Sequence, residues 1–233
     1  MTKRKLLPVL LLLLTMMLTA CGDGGKYEIK DGKVYYTYWT FSFGTQEREL
    51  NEADAASFES IKNWLGRDDS HVWFKEILIE GADPASVKAE DYPLCRDKHD
   101  FYYKETAMHV ADMESFRIIK QSEDDFWAVD SRYVYRDSCR IDDADPKTIE
   151  ILEMSTAKDK NHVFYFNHIL EDADPDTYEV MGIYSKDKSH VWYCGKLLED
   201  ADVATFEVDN DNYFGAHDKN GKFRNDKRID SEE

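Results

Sequence analysis

Glycine (11) and proline (5) are scarce in this chain of 233 residues, which excludes a collagen-like or low-complexity fibre. Basic residues are also few: 30 Lys and Arg stand against 48 Asp and Glu, for a net charge of −18. No nucleic-acid partner is therefore expected, because phosphate binding needs a basic face. The same charge disfavours adsorption to anionic lipid headgroups. The four cysteines form no C-x-x-C pair, so neither a zinc ribbon nor a thioredoxin-like site is indicated. There is no G-x-S-x-G elbow, no H-E-x-x-H and no glycine-rich phosphate loop. What is present is 42% hydrophobic and 13% aromatic content, enough for one or two folded domains and too much for a disordered chain.

Lys3, Arg4 and Lys5 precede an apolar run from Leu6 to Ala20, interrupted only by Pro8, Thr15 and Thr19. A basic start followed by so short a run is a secretory signal, below the ~18–20 residues of a bilayer-spanning helix. The run ends Leu18-Thr19-Ala20-Cys21-Gly22, which resembles the bacterial lipobox. The resemblance implies cleavage between Ala20 and Cys21 and a diacylglycerol and N-acyl chain carried covalently on Cys21. No other cofactor and no metal is expected. A plain signal peptide with a chance cysteine, or an uncleaved anchor, are the alternatives. Acyl chains bury methylenes at ~0.8 kcal/mol each, so several together hold where one does not. Cleavage removes three positive charges and no acids, taking the net charge from −18 to −21. Gly22 rather than an aspartate follows the cysteine, which in a Gram-negative host leans toward the outer membrane. The remaining Cys95, Cys139 and Cys194 are odd in number, so at most one disulfide forms within a monomer.

The body of the chain is a repeat. The dipeptide Ala-Asp recurs with its aspartate at Asp54, Asp83, Asp112, Asp145, Asp174 and Asp202, at steps of 29, 29, 33, 29 and 28. Three residues on stands a hydroxyl (Ser57, Ser86, Ser115, Thr148, Thr177, Thr205), and next to it an apolar or aromatic residue (Phe58, Val87, Phe116, Ile149, Tyr178, Phe206). Four residues before the aspartate come Leu50, Ile79, Met108, Ile141, Leu170 and Leu198. Ten before it, from the second repeat on, are Trp73, Tyr102, Tyr135, Phe164 and Trp192, and fifteen before it Asp68, Asp97, Asp130, Asp159 and Asp187. The first repeat carries nine extra residues, spread over 37–49.

Each column has a local reason. Pairs such as Val163-Phe164 suit a strand, and Cys194-Gly195-Lys196 reads as a hairpin turn into a second. Aspartate before proline, as in Asp83-Pro84, reads as the cap of one helical or 3₁₀ turn, its carboxylate accepting backbone N–H bonds. Alternation in Tyr178-Glu179-Val180 makes a third strand. The expectation is an all-β fold of tandem hairpin repeats, about 29 residues each with three strands, stacked into a superhelical, solenoid-like array. Its layout is a signal peptide (1–20), a lipidated tether (21–30), a six-repeat β domain (31–208) and a C-terminal half-repeat or polar cap (209–233).

Asp159-Lys160-Asn161-His162-Val163-Phe164-Tyr165, Asp187-Lys188-Ser189-His190-Val191-Trp192-Tyr193 and Asp97-Lys98-His99-Asp100-Phe101-Tyr102-Tyr103 resemble the DKNYY family of bacterial proteins, often lipoproteins. That family carries no established activity, so the resemblance transfers no catalytic residue.

Forty-eight acids invite a paired-carboxylate glycosidase, but aspartates that recur in every repeat fit turn capping better than one active site. The oxygen-rich stretches Asp209-Asn210-Asp211-Asn212 and Asp142-Asp143-Ala144-Asp145 lack the twelve-residue calcium loop pattern, and a solvated acidic face is the default. His71, His162 and His190 share a column that also admits Asp100 and Tyr133, which speaks against zinc ligation. Off the columns, Trp39, Trp64 and Trp127 are freer. Tyr38, Trp39 and Phe41 form a candidate binding lip, set against the plainer reading that they extend the cap of the stack. The expected function is a cell-envelope lipoprotein, held to the membrane by lipid, whose repeats offer a surface to a protein or glycan and which is not an enzyme. The alternative is an acidic inhibitor or immunity-type lipoprotein that masks a basic partner.

Overall fold

The computed structural model describes residues 24–122, 125–209 and 214–229. The signal segment 1–20, Cys21 and the residues 210–212 of one oxygen-rich stretch lie outside them. The only helical element among the described residues is a 3₁₀ turn at Val203–Thr205, so the all-β reading holds. The chain divides into two compact units, one of residues up to Asp91 with Cys95–His99, the other of Tyr92–Leu94 with Asp100 onward.

The first unit opens with an antiparallel meander of β1 (Lys26–Lys30), β2 (Lys33–Thr40) and β3 (Gly44–Glu49). β1 falls inside the segment 21–30 that the sequence sets apart as a tether, because Asp31 and Gly32, at φ 51° and 76°, turn it back onto β2. The extra residues of the first repeat lengthen a hairpin, registered from Tyr35↔Glu49 to Thr40↔Gly44. A sheet of Glu59–Lys62, Leu65–Arg67, Val72–Phe74 and Ile77–Leu78 follows.

The same four-strand meander recurs along the chain. It is built from Arg117–Gln121, Phe126–Val129, Val134–Arg136 and Cys139–Ile141, then from Glu150–Glu153, Thr156–Lys158, Val163–Tyr165 and His168–Ile169, then from Glu179–Met181, Tyr184–Lys186, Val191–Tyr193 and Lys196–Leu197. After the first sheet, which has three, each sheet therefore has four strands, not three. The sheet frame also straddles the sequence frame, so the Ala-Asp turn joins one sheet to the next. The C-terminal segment is more than a half-repeat: Gly215–Asp218, Gly221–Arg224 and Lys227–Ile229 complete a four-strand sheet with Glu207–Val208.

The strand that sequence spacing misses is the second of the four-strand sheets, and its centre is small. Gly66, Ala128, Ala157 and Ser185 lie directly across from the columnar aromatics Trp73, Tyr135, Phe164 and Trp192, and Ala216 lies across from Phe223. A small residue beside a large ring leaves room for the aromatic that follows the hydroxyl column. Phe58 packs 5.7 Å from Trp73, Phe116 5.9 Å from Tyr135, Tyr178 5.6 Å from Trp192 and Phe206 5.6 Å from Phe223. A Cβ on Gly66 would stand 2.5 Å from the Phe58 ring.

Cores are shared between consecutive sheets. Val163 and Leu170 of one sheet pack with Tyr178 and Trp192 of the next, and Tyr184, Val191 and Leu198 pack with Phe206, Ala216 and Phe223. In the first unit Val34, Tyr36 and Leu50 pack with Trp73. Strands of three residues bury too little alone, and within each unit these sheets complete one another's dry interior. Ala157, fully buried opposite Phe164, should not tolerate bulk. Ala157→Leu is expected to cost about 1–3 kcal/mol by overpacking, read as a lowered melting midpoint in near-UV circular dichroism.

Candidate functional site

Two aspartate columns meet at every linker turn. The turn aspartate uses one oxygen to close a local loop: Oδ1 of Asp54, Asp145 and Asp174 accepts the N–H two residues on at 3.0 Å, and that of Asp83 does so at 3.3 Å. The hydroxyl column donates back, Ser57, Ser86, Thr177 and Thr205 reaching the turn carboxylate at 2.9, 2.6, 3.1 and 2.7 Å. Only the Asp202 turn winds into 3₁₀ geometry; the others are single turns.

The second column is buried. Asp68, Asp97, Asp130, Asp159, Asp187 and Asp218 retain 3–7% of their surface. Oδ2 of each accepts the backbone N–H of the turn aspartate behind it, Asp54, Asp83, Asp112, Asp145, Asp174 and Asp202 respectively, at 2.7–3.0 Å. Oδ1 closes the buried aspartate's own hairpin turn. In Asp159-Lys160-Asn161-His162 it takes the N–H of Asn161 at 2.7 Å and of His162 at 2.8 Å, while the Asp159 N–H donates to the His162 carbonyl at 2.9 Å. One carboxylate thus ties a hairpin inside a sheet to the turn that leads into that sheet.

The lysine after the buried aspartate completes the knot. Lys98, Lys160, Lys188 and Lys219 reach Oδ2 of Asp83, Asp145, Asp174 and Asp202 at 2.8, 2.9, 2.5 and 2.6 Å. Where serine replaces the lysine, Ser131 Oγ donates to Asp112 at 2.6 Å. Asp218 differs: Arg228 grips it through two nitrogens at 2.7 and 2.9 Å.

At several of these aspartates the contacts favour the ionised form. Burial pushes the Asp68 carboxyl up, but the N–H groups of Asp54, Ser70 and His71 outweigh it and leave the pKa lowered. Asp187 follows the same pattern, and at Asp130 the Tyr135 hydroxyl adds to the downward pull. The Arg228 guanidinium holds Asp218 far below the usual carboxylate range. Among the turn aspartates, Lys98 and then Ser86 hold Asp83 at about 2. A carboxyl kept ionised and fully engaged is poorly placed to donate or abstract a proton.

Other candidate groups are spread apart. His71, His162 and His190 each pack edge-on or tilted against the aromatic two residues on, with ring centroids 5.6–6.0 Å apart, and no group of three metal-ligating side chains occurs among the described residues. Asp142 is taken by Arg140 at 2.5 Å. Cys95, Cys139 and Cys194 are free thiols, Cys95 buried and pushed up to about 12 by that burial. Trp64 and Trp127 are core rather than free; Trp64 packs 5.6 Å from Phe74, and Trp127 Nε1 donates to the Met154 carbonyl at 2.8 Å.

The lip splits in two. Tyr38 turns inward, 6.0 Å from Tyr36 and packed against the first core. Trp39 (63% exposed) and Phe41 (94%) stand out at the tip of the β2–β3 hairpin, edge to face at 6.1 Å. Phe43, 79% exposed, joins them; it follows the alternation Trp39-Thr40-Phe41-Ser42-Phe43, a signal that sequence reasoning passed over. Below the tip a cleft of ≈ 390 Å³ is lined by Gly24, Gly25, Tyr38, Trp39, Lys75 and Glu76. Gly25 is required there, since a Cβ would meet the Tyr36 hydroxyl at 2.0 Å.

The geometry defines a class: an all-β repeat protein in which an Asp-Lys hairpin turn pins each sheet to the linker before it. Matches to the model of the DKNYY family span residues 15–106 and 95–227, and the chain belongs to that family. No curated protein and no solved structure matches it.

Proposed function

We propose that this protein is a bacterial cell-envelope lipoprotein, anchored through an acylated Cys21, whose repeats form a binding scaffold with no catalytic activity of their own. The observation that carries the reading is the engagement of both aspartate columns. The residues that dominate the repeats hold turns together, leaving the outward surface to recognise a protein or glycan. Within each unit, the sharing of cores between consecutive sheets supports a superhelical stack as the finer arrangement. An outer-membrane location follows from Gly22 if the host is Gram-negative. The net charge of −18 favours one second reading, an inhibitor or immunity-type lipoprotein for a basic partner, whose association rate would fall steeply with salt.

The anchor is tested by metabolic labelling with a fatty acid. Wild type is expected to take up label, and Cys21→Ala to lose it entirely and accumulate as precursor. Equal labelling of the two proteins would remove the anchor.

A further inference from the structure

Resting on the lipoprotein reading, we propose that the β2–β3 hairpin tip, Trp39 with Phe41 and Phe43, is a second membrane contact that seats in the bilayer interface beside the acylated cysteine. The occupant of the lip is then lipid rather than a soluble ligand.

The chain's direction is the first argument. β1 pairs with β2 from Lys30↔Lys33 to Lys26↔Thr37, so the residues ahead of Lys26 run alongside β2 toward its tip. Gly24 and Gly25 accordingly line the cleft with Tyr38 and Trp39. Cys21 is three residues before Gly24, and three residues span at most about 11 Å. A lipid on Cys21 therefore enters the bilayer within one short tether of the exposed rings.

Composition is the second argument. A third of the chain is charged, yet no charged residue occurs from Val34 to Gln46, the span that carries the tip. The acidic body would be repelled by anionic headgroups, but that repulsion fades beyond about 8–10 Å at physiological salt. A neutral hairpin tip projecting three aromatics is suited to touch a membrane. Tryptophan in particular settles at the headgroup level, where its ring is buried and its N–H stays hydrated. Acyl chains and an aromatic contact together would also fix the orientation of the first sheet, which a flexible tether alone cannot do.

The protein provides its own probe. Of its five tryptophans, Trp64, Trp73, Trp127 and Trp192 are buried, and Trp39 alone is exposed. The full-length acylated chain, purified from producing cells with Cys21 acylation checked by mass, is placed in phosphatidylcholine vesicles brominated on the acyl chains. Seating in the bilayer is expected to blue-shift, and bromolipid to quench, a component of emission that Trp39→Phe removes. Phe41→Ser with Phe43→Ser should weaken that quenching without changing the melting curve. Acylated protein whose Trp39 stays open to aqueous iodide and unquenched by bromolipid would overturn the tip contact and leave the anchor standing. Shielding of Trp39 from both quenchers would overturn it in favour of another occupant, such as a second copy. Absence of acylation would overturn the anchor, and the tip proposal with it.

Discussion

Asp159→Ala is expected to lower the unfolding free energy of the protein by about 3–5 kcal/mol, far more than loss of the turn aspartate beside it. The Asp159 side chain is fully buried and accepts three backbone N–H bonds, from Asp145, Asn161 and His162. Alanine leaves all three donors without a partner, and each such donor costs about 1–3 kcal/mol, less where water can enter. Asp145 stands at the surface, and water can replace its bonds to Lys147 and Lys160, so Asp145→Ala should shift the midpoint much less. Lys160→Ala should be nearly silent, as expected of an exposed ion pair. Asp159→Asn falls between, since the amide keeps one acceptor but brings an N–H toward donors. Urea unfolding of the four variants gives the ranking. Coincident curves for Asp159→Ala and Asp145→Ala would mean that the buried carboxylate does not fasten the sheets.

That ranking inverts the emphasis of the sequence. Ala-Asp is a regular column and reads directly as a turn, because its partners lie two and three residues away. The hydroxyl and aromatic columns are legible for the same local reason. The buried aspartate is equally regular, but its decisive bond reaches fourteen residues back, from Asp159 to Asp145, and spacing shows no such link. The missed strand has a similar cause. Leu65-Gly66-Arg67 and Thr156-Ala157-Lys158 are too short for a period of two to show, and their small centres look like breaks until the ring across the sheet is seen. Lys26–Lys30 lies within the segment 21–30 set apart as a tether, and its strand is not legible there because the pairing is supplied by β2. At the lip, three candidate aromatics were legible, but not that Tyr38 turns inward while Phe43 turns out. Tyr38 follows the alternation of β2, but Phe41 and Phe43 lie in the turn between Thr40 and Gly44, where alternation no longer applies.

Acid should unfold this protein steeply, and over a window that its own contacts set. Asp68, Asp130, Asp187 and Asp218 are lowered in the folded state, as are the turn aspartates Asp83, Asp112, Asp145, Asp174 and Asp202. In the unfolded chain each titrates near the ordinary value of about 3.9. Below that pH the unfolded state binds more protons than the folded one, so stability falls with pH until the depressed folded values are passed. The contribution is whole above about pH 4 and is being lost near 2, where Asp83 itself titrates. Asp137, raised by burial, opposes the trend, but it is one group against nine. A second effect acts earlier: between neutrality and the pI of 4.8 the net charge of −18 is discharged and self-repulsion relaxes. Melting midpoints should accordingly hold or rise slightly from pH 7 to about 5 and then fall sharply from about pH 4 downward. A midpoint that declines evenly from neutrality would assign the transition to general charge, and one flat to about pH 2.5 would mean that the aspartate knots do not carry the fold.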